Sequence, residues 1–200
     1  MDVTLQQVLF RLAAYAVVAA VHGWALAAAA GLAGDPGPRY DGRRTLDPFA
    51  QGDPFGAACA AVFGLSWIRP MALDGSALGR LGRVAAALAG LAAVRLLALV
   101  AALLRGPVLT AAAGTLPLYG VAFLETLALV ALGFAILNLV PLPPFAGGHF
   151  LLAALPRLAP LLERWRLAFT LLAAAFVASG AAARLIAPLY RPLARWLLGG

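Results

Sequence analysis

LGRVAAALAGLAAVRLLALVAALL, residues Leu81–Leu104, and LPLYGVAFLETLALVALGFAILNLV, residues Leu116–Val140, decide the architecture. Each is an apolar run at least as long as the ~20 residues that an α-helix needs to cross a bilayer. A Gly/Pro/Thr connection separates them, so they read as adjacent antiparallel spans. Upstream, Leu5–Leu32 is a third such run, closed by the helix-stopping cluster Gly34-Asp35-Pro36. It is longer than the apolar centre of a secretion signal and further spans follow, so it reads as retained. Gly34–Asp53 is a polar connection carrying Asp35, Arg39, Asp41, Arg43, Arg44, Asp47 and Asp53 among glycines and prolines, an ordered loop. Pro54–Ile68 is a short apolar run, usable as a partly buried or locally thinned span. At the other end, Leu167–Ile186 reads as a last span. Pro188–Leu198, with Arg191, Arg195 and Trp196, reads as an interfacial helix.

The totals agree with a chain that needs lipid. Of 200 residues, 64% are hydrophobic and 12% charged, with a mean hydropathy of +0.93; soluble domains are only about half apolar. The expected fold is therefore all-α, a polytopic transmembrane bundle of about five to six membrane helices forming one domain over residues 1–200. All fifteen basic residues are arginine, giving a formal charge of +7. In a soluble protein that excess would suggest nucleic acid. Here Arg69, Arg80, Arg83, Arg105, Arg157, Arg164, Arg166, Arg191 and Arg195 stand at the ends of apolar runs, where arginine anchors helices at lipid headgroups. The bilayer, and no nucleic acid, is the expected partner. Arginines nearly balance across the two sides, so orientation stays open. A single cysteine, Cys59, excludes an intrachain disulfide and reads as a small buried thiol.

Two charged residues lie inside the strongest runs, Arg95 and Glu125. Counted from the connection between those runs, both stand about 12 to 15 Å into their helices at ~1.5 Å per residue. An interhelical pair is expected, because either charge alone in lipid is costly, and its expected role is to hold helices together rather than to carry protons or solutes. A helix cannot continue through NLVPLPPFAGGHFL, Asn138–Leu151. Irregular backbone at membrane depth survives only where protein or a water-lined cavity satisfies it. Asn138, Pro141, Pro143, Pro144, Gly147 and Gly148 are therefore candidate site residues.

Three segments taken together resemble the site-2 protease family of intramembrane zinc metallopeptidases, in its compact bacterial form without an inserted PDZ domain. GDPGPRYDGRRTLDPFAQGDPFG, Gly34–Gly56, is similar to that family's loop of pattern GDP…GR-x-TL-N-P…H-x-D-P-x-G. LSWIRPM, Leu65–Met71, is similar to its G-W-A-K-P-V, and NLVPLPPFAGGH, Asn138–His149, to its N-L-x-P-x-P-P-L-D-G-G-R. Order and spacing agree over about Val21–Leu151. The resemblance implies a protease-like core over residues 1–158, followed by a C-terminal span and interfacial helix over 159–200, and a bacterial inner membrane. It also implies zinc, held by H-E-x-x-H on the first helix and by the aspartate of L-D-G. Histidines at i and i+4 share a helical face, and the intervening glutamate activates water.

Those residues are mostly replaced. His22 stands at the first histidine, Gly23 at the glutamate, Leu26 at the second histidine and Ala146 at the aspartate. Gln51 stands at the family's loop histidine, and Ala89–Val94 at its A-G-P-x-S-N stretch. Glycine, leucine and alanine offer zinc no side-chain ligand, and one imidazole does not hold a catalytic ion. The expectation is a catalytically inactive relative, a pseudoprotease without a resident cofactor, that binds a membrane partner or serves as a subunit of a membrane complex. In active relatives the proline-rich segment helps hold the substrate strand, so Asn138 and its prolines either keep such a cleft or merely cap a broken helix. The alternative is an active zinc peptidase with non-standard ligands, in which His22 and His149, the two histidines of the chain, are completed by Glu125, Asp53 or Cys59. A proton or solute path through Glu125, Arg95 and His22 is a third reading.

Overall fold

The computed structural model describes residues 3–111 and 114–199, and within them every regular element is helical. The first helix, α1 (Leu5–Leu32), starts on a capping box in which Thr4 accepts from the Gln7 amide and Gln7 reaches back to the Thr4 amide. The polar connection is ordered, as expected, with two short turns, α2 (Gly37–Tyr40) and α3 (Pro48–Gln51). α4 (Pro54–Phe63) follows, capped by Asp53, whose carboxylate accepts from the Gly56 amide at 2.9 Å. α5 (Gly75–Thr110) is broken at Gly79 (φ 62°), so Arg80 stands at the start of its long segment, which continues past the apolar run and takes Arg83 and Arg105 into the helix. α6 (Leu116–Leu137) stops at Asn138, and α7 (Gly148–Ala154) and α8 (Ala159–Arg164) are short. α9 (Arg166–Ala178) and α10 (Ala181–Leu198) complete the chain.

α1, α5 and α6 pack together as the centre of the bundle. Phe10 meets Phe123 edge to face at 5.8 Å, and further along both helices His22 meets Phe134 at 5.0 Å, so α1 and α6 run in the same direction. α5 returns between them: His22 lies against Gly90, and Ala33 against Gly82. Lipid tails are as apolar as leucine, so helices in a bilayer gain by close approach rather than by hydrophobic sorting. The seam is accordingly alanine, with Ala14, Ala19, Ala98, Ala101, Ala128, Ala131 and Ala135 buried around Val18, Val94 and Phe134.

The span count is lower than the sequence suggests. Among the described residues three helices, α1, α5 and α6, are long and apolar enough to cross a membrane, giving three spans, or four if α9 and α10 form one broken span. The run from Pro54 to Ile68 does not cross as a helix, because α4 ends at Phe63 after 10 residues. The run from Leu167 to Ile186 is not one helix either. It breaks at Ser179-Gly180, where Gly180 takes the left-handed region (φ 76°), and the chain bends by 66°. No separate helix begins at Pro188: α10 starts at Ala181 and runs through Pro188 and Pro192. Three to four long apolar helices fit a multi-pass membrane protein.

Candidate functional site

The helical register of α1 places His22 and Leu26 on one face. A cavity of about 360 Å³ opens beside them, lined also by Ala146 and His149 and by Arg69, Arg83 and Arg166. Residues over a hundred positions apart are thus brought to one place.

Asn138 turns the broken end of α6 toward that cavity. Its side-chain Nδ2 donates to the Ser66 carbonyl at 3.0 Å and the Phe134 carbonyl at 2.9 Å. Its Oδ1 accepts from the Ala146 amide at 3.2 Å, and its backbone carbonyl accepts from Gly147 at 2.7 Å. A side chain at Gly147 would collide with the Val140 carbonyl, so this return requires glycine. Of the two readings of Asn138, capping of a broken helix is what the hydrogen bonds describe. Pro143, Pro144 and Gly148 line the cavity with Ala146; Asn138, Pro141 and Gly147 do not.

The polar loop is tied to the cavity through Arg69, which lines it. Gln51 is fully buried, accepts from Arg43 Nε at 2.9 Å, and donates to the Arg43 and Thr45 carbonyls at 2.7 and 3.1 Å. Arg43 Nη2 donates to the Arg69 carbonyl at 3.0 Å, tying the loop to the extended return after α4. Burial, helped by nearby Arg69, pulls the Arg43 guanidinium down to about 10, which leaves it charged at neutral pH. Gly23 faces this knot: a Cβ there would run into Gln51 Cδ and Oε1. A glutamate at position 23 and glutamine in its observed pose at 51 cannot coexist.

His22 is fully buried, with its ring against Gly90, where an added Cβ would come within 2.9 Å of Nδ1. Neither of its ring nitrogens, nor Nδ1 of His149, makes a well-formed hydrogen bond among the described residues, although the Gly90 backbone lies close beside the His22 ring. Buried polar atoms of this kind call for a partner. The two histidines line the same cavity, but Glu125, Asp53 and Cys59 do not. Among the described residues no three His, Cys, Asp or Glu side chains are grouped to hold a metal ion. A zinc ion implied by the resemblance finds at positions 22, 26 and 146 an imidazole, an isobutyl and a methyl group, a donor set that does not fit it.

The protein-family models, curated proteins and solved structures compared with this chain include no match.

The intramembrane pair is corrected by the structure. Glu125 pairs with Arg105 at 2.9 Å, not with Arg95. Arg95 instead lies at the surface beside Leu193 and Trp196 of α10. Depth counted from the ends of the apolar runs misplaces the partner because α5 continues to Thr110, which brings Arg105 rather than Arg95 level with Glu125. Arg105 also donates to the Leu198 carbonyl at 2.8 Å, so one guanidinium ties α5, α6 and the end of α10. Sequence reasoning also missed the site role of Arg83, whose Nη2 donates to the Leu73 carbonyl at 2.8 Å on the cavity rim. Its only signal in the sequence is its place at the head of an apolar run.

Proposed function

We propose that this chain is a site-2-protease-like pseudoenzyme of the bacterial inner membrane. In this reading it has kept the scaffold, lost the zinc chemistry, and uses the cavity to bind a segment of another membrane protein. The observation that carries the reading is the meeting of His22, Leu26 and Ala146 in one cavity. These are the positions at which the resemblance expects three zinc ligands, and they come from two distant parts of the chain. The buried ring nitrogens of His22 and His149 leave polar atoms beside the cavity that water or a bound segment can satisfy. Fold alone does not give function; here the residues at the site remove the family's reaction and leave a binding cleft.

The second reading is an active zinc peptidase with His22 and His149 as ligands, favoured by their shared cavity and unpaired nitrogens. Metal analysis of the purified protein separates the two. The pseudoenzyme holds well under one zinc per chain, and a membrane protein co-purifies with it in mild detergent but not with an Ala146→Trp variant that fills the cavity. About one zinc per chain, removed by a chelator together with cleavage of a co-expressed membrane substrate, overturns the proposal.

A further inference from the structure

Whereas the histidine-lined cavity lies further along α1, a second and larger recess lies toward the start of that helix. It has a volume of about 770 Å³ and is walled by α1, the end of α4, α6 and α10. Its inner surface is apolar, with Leu65, Val130 and Ile186. Around it stand three guanidinium groups, Arg11, Arg184 and Arg191, and among the described residues no acidic side chain lines it. None of the three takes part in the ion pairs among those residues, which are Arg105–Glu125 and Arg166–Glu163.

Two of these arginines are held in place by backbone. Arg11 Nη1 donates to the Val62 carbonyl at 2.6 Å, at the end of α4. Arg184 Nη2 donates to the Ser179 carbonyl at 3.2 Å, at the break after α9. Each guanidinium has five N–H donors in a fork suited to phosphate, so both keep donors for a ligand. Arg191 follows Arg184 by two helical turns on α10 and faces the same recess.

The depth of the recess matches a headgroup. From Arg11 to Leu32 at the far end of α1 is about 32 Å of helix, and from Arg83 to Arg105 along α5 about 33 Å, at ~1.5 Å per residue. A bilayer's hydrocarbon core is about 30 Å thick. If the polar loop after α1 marks one headgroup layer, Arg11, Arg105 and the recess lie at the other. Groups of arginine over an apolar surface at that depth bind anionic lipid.

We propose that this recess is a binding site for an anionic phospholipid, with the phosphate on Arg184, Arg191 and Arg11 and the acyl chains on the apolar wall. The site is separate from the histidine-lined cavity and stands or falls independently of what that cavity does.

The test exchanges the full-length protein from membranes into detergent and measures retained lipid by mass spectrometry. It then measures thermal stability with added phosphatidylglycerol, phosphatidylcholine or inorganic phosphate. Wild type is expected to keep and be stabilised by phosphatidylglycerol. Arg184→Gln with Arg191→Gln is expected to weaken that binding about tenfold or more, as loss of two arginine contacts implies. Arg157→Gln with Arg164→Gln removes the same charge elsewhere and is expected to leave it unchanged. Equal loss in this control, equal stabilisation by phosphatidylcholine, or equal stabilisation by inorganic phosphate overturns the proposal. Because Arg11 also caps α4, the α10 variants, which leave that cap intact, carry the result.

Discussion

Asn138 illustrates how much one side chain settles at membrane depth. Where a helix breaks in lipid, each freed carbonyl and amide needs a partner, and this side chain supplies one to the Ser66 carbonyl and one to the Ala146 amide, besides a second bond to the Phe134 carbonyl, which also accepts from the Asn138 backbone amide. Asn138→Ala is expected to cost about 2 to 4 kcal/mol, because it leaves buried backbone groups unpaired. Chemical unfolding in detergent micelles measures this. Ser66→Ala is the matched control: Asn138 uses the backbone oxygen of Ser66, whose own buried hydroxyl has no partner among the described residues. It should change stability by under ~1 kcal/mol. If the two variants behave alike, Asn138 does not hold the return. The asparagine is visible in the sequence as part of a proline-rich break, but its partner Ser66 is not, because a bond across 72 residues leaves no local pattern. Gly23 is similar: its need for glycine comes from Gln51, which approaches from a different element.

At the scale of helices, the apolar runs locate α1, α5 and α6, and their ends are less legible. α5 extends beyond its apolar run past Arg105 to Thr110, because a long arginine can stay in the helix and still reach a partner, whereas at the other end it is interrupted at Gly79, just before Arg80. That extension changes the pairing of Glu125. Arg105→Gln should therefore destabilise the protein by about 1 to 3 kcal/mol, since it releases Glu125 and the Leu198 carbonyl together. Arg95→Gln should remain within about 0.5 kcal/mol of wild type. Melting curves in one detergent compare them; a larger loss for Arg95→Gln would restore the pair inferred from depth. The break between α9 and α10 is hidden for a related reason. The Ser179-Gly180 step is a turn signal, outweighed in the sequence by the apolar residues on both sides of it, and α10 is polar enough on one side to leave the direction of α9.

For the molecule as a whole, the apolar composition indicates the lipid setting directly, whereas the convergence of α1 with the loop after α6 requires the fold. Composition cannot show that positions 22, 26 and 146 line one cavity; helical register and the Asn138 return do. The central claim is that this cavity is a protease-like metal cleft with its ligands removed. It is tested most directly by putting ligands back. Leu26→His with Ala146→Asp, added to the existing His22, creates a set of two imidazoles and one carboxylate of the kind that holds catalytic zinc. Gly23 stays unchanged, since Gln51 occupies the space beside it. Zinc content and calorimetric titration of the purified double variant, beside wild type, give the answer. The account expects about one tightly bound zinc per chain in the variant and little in wild type. A variant that folds as wild type does, by helical content and melting, yet binds no more zinc than wild type would contradict it.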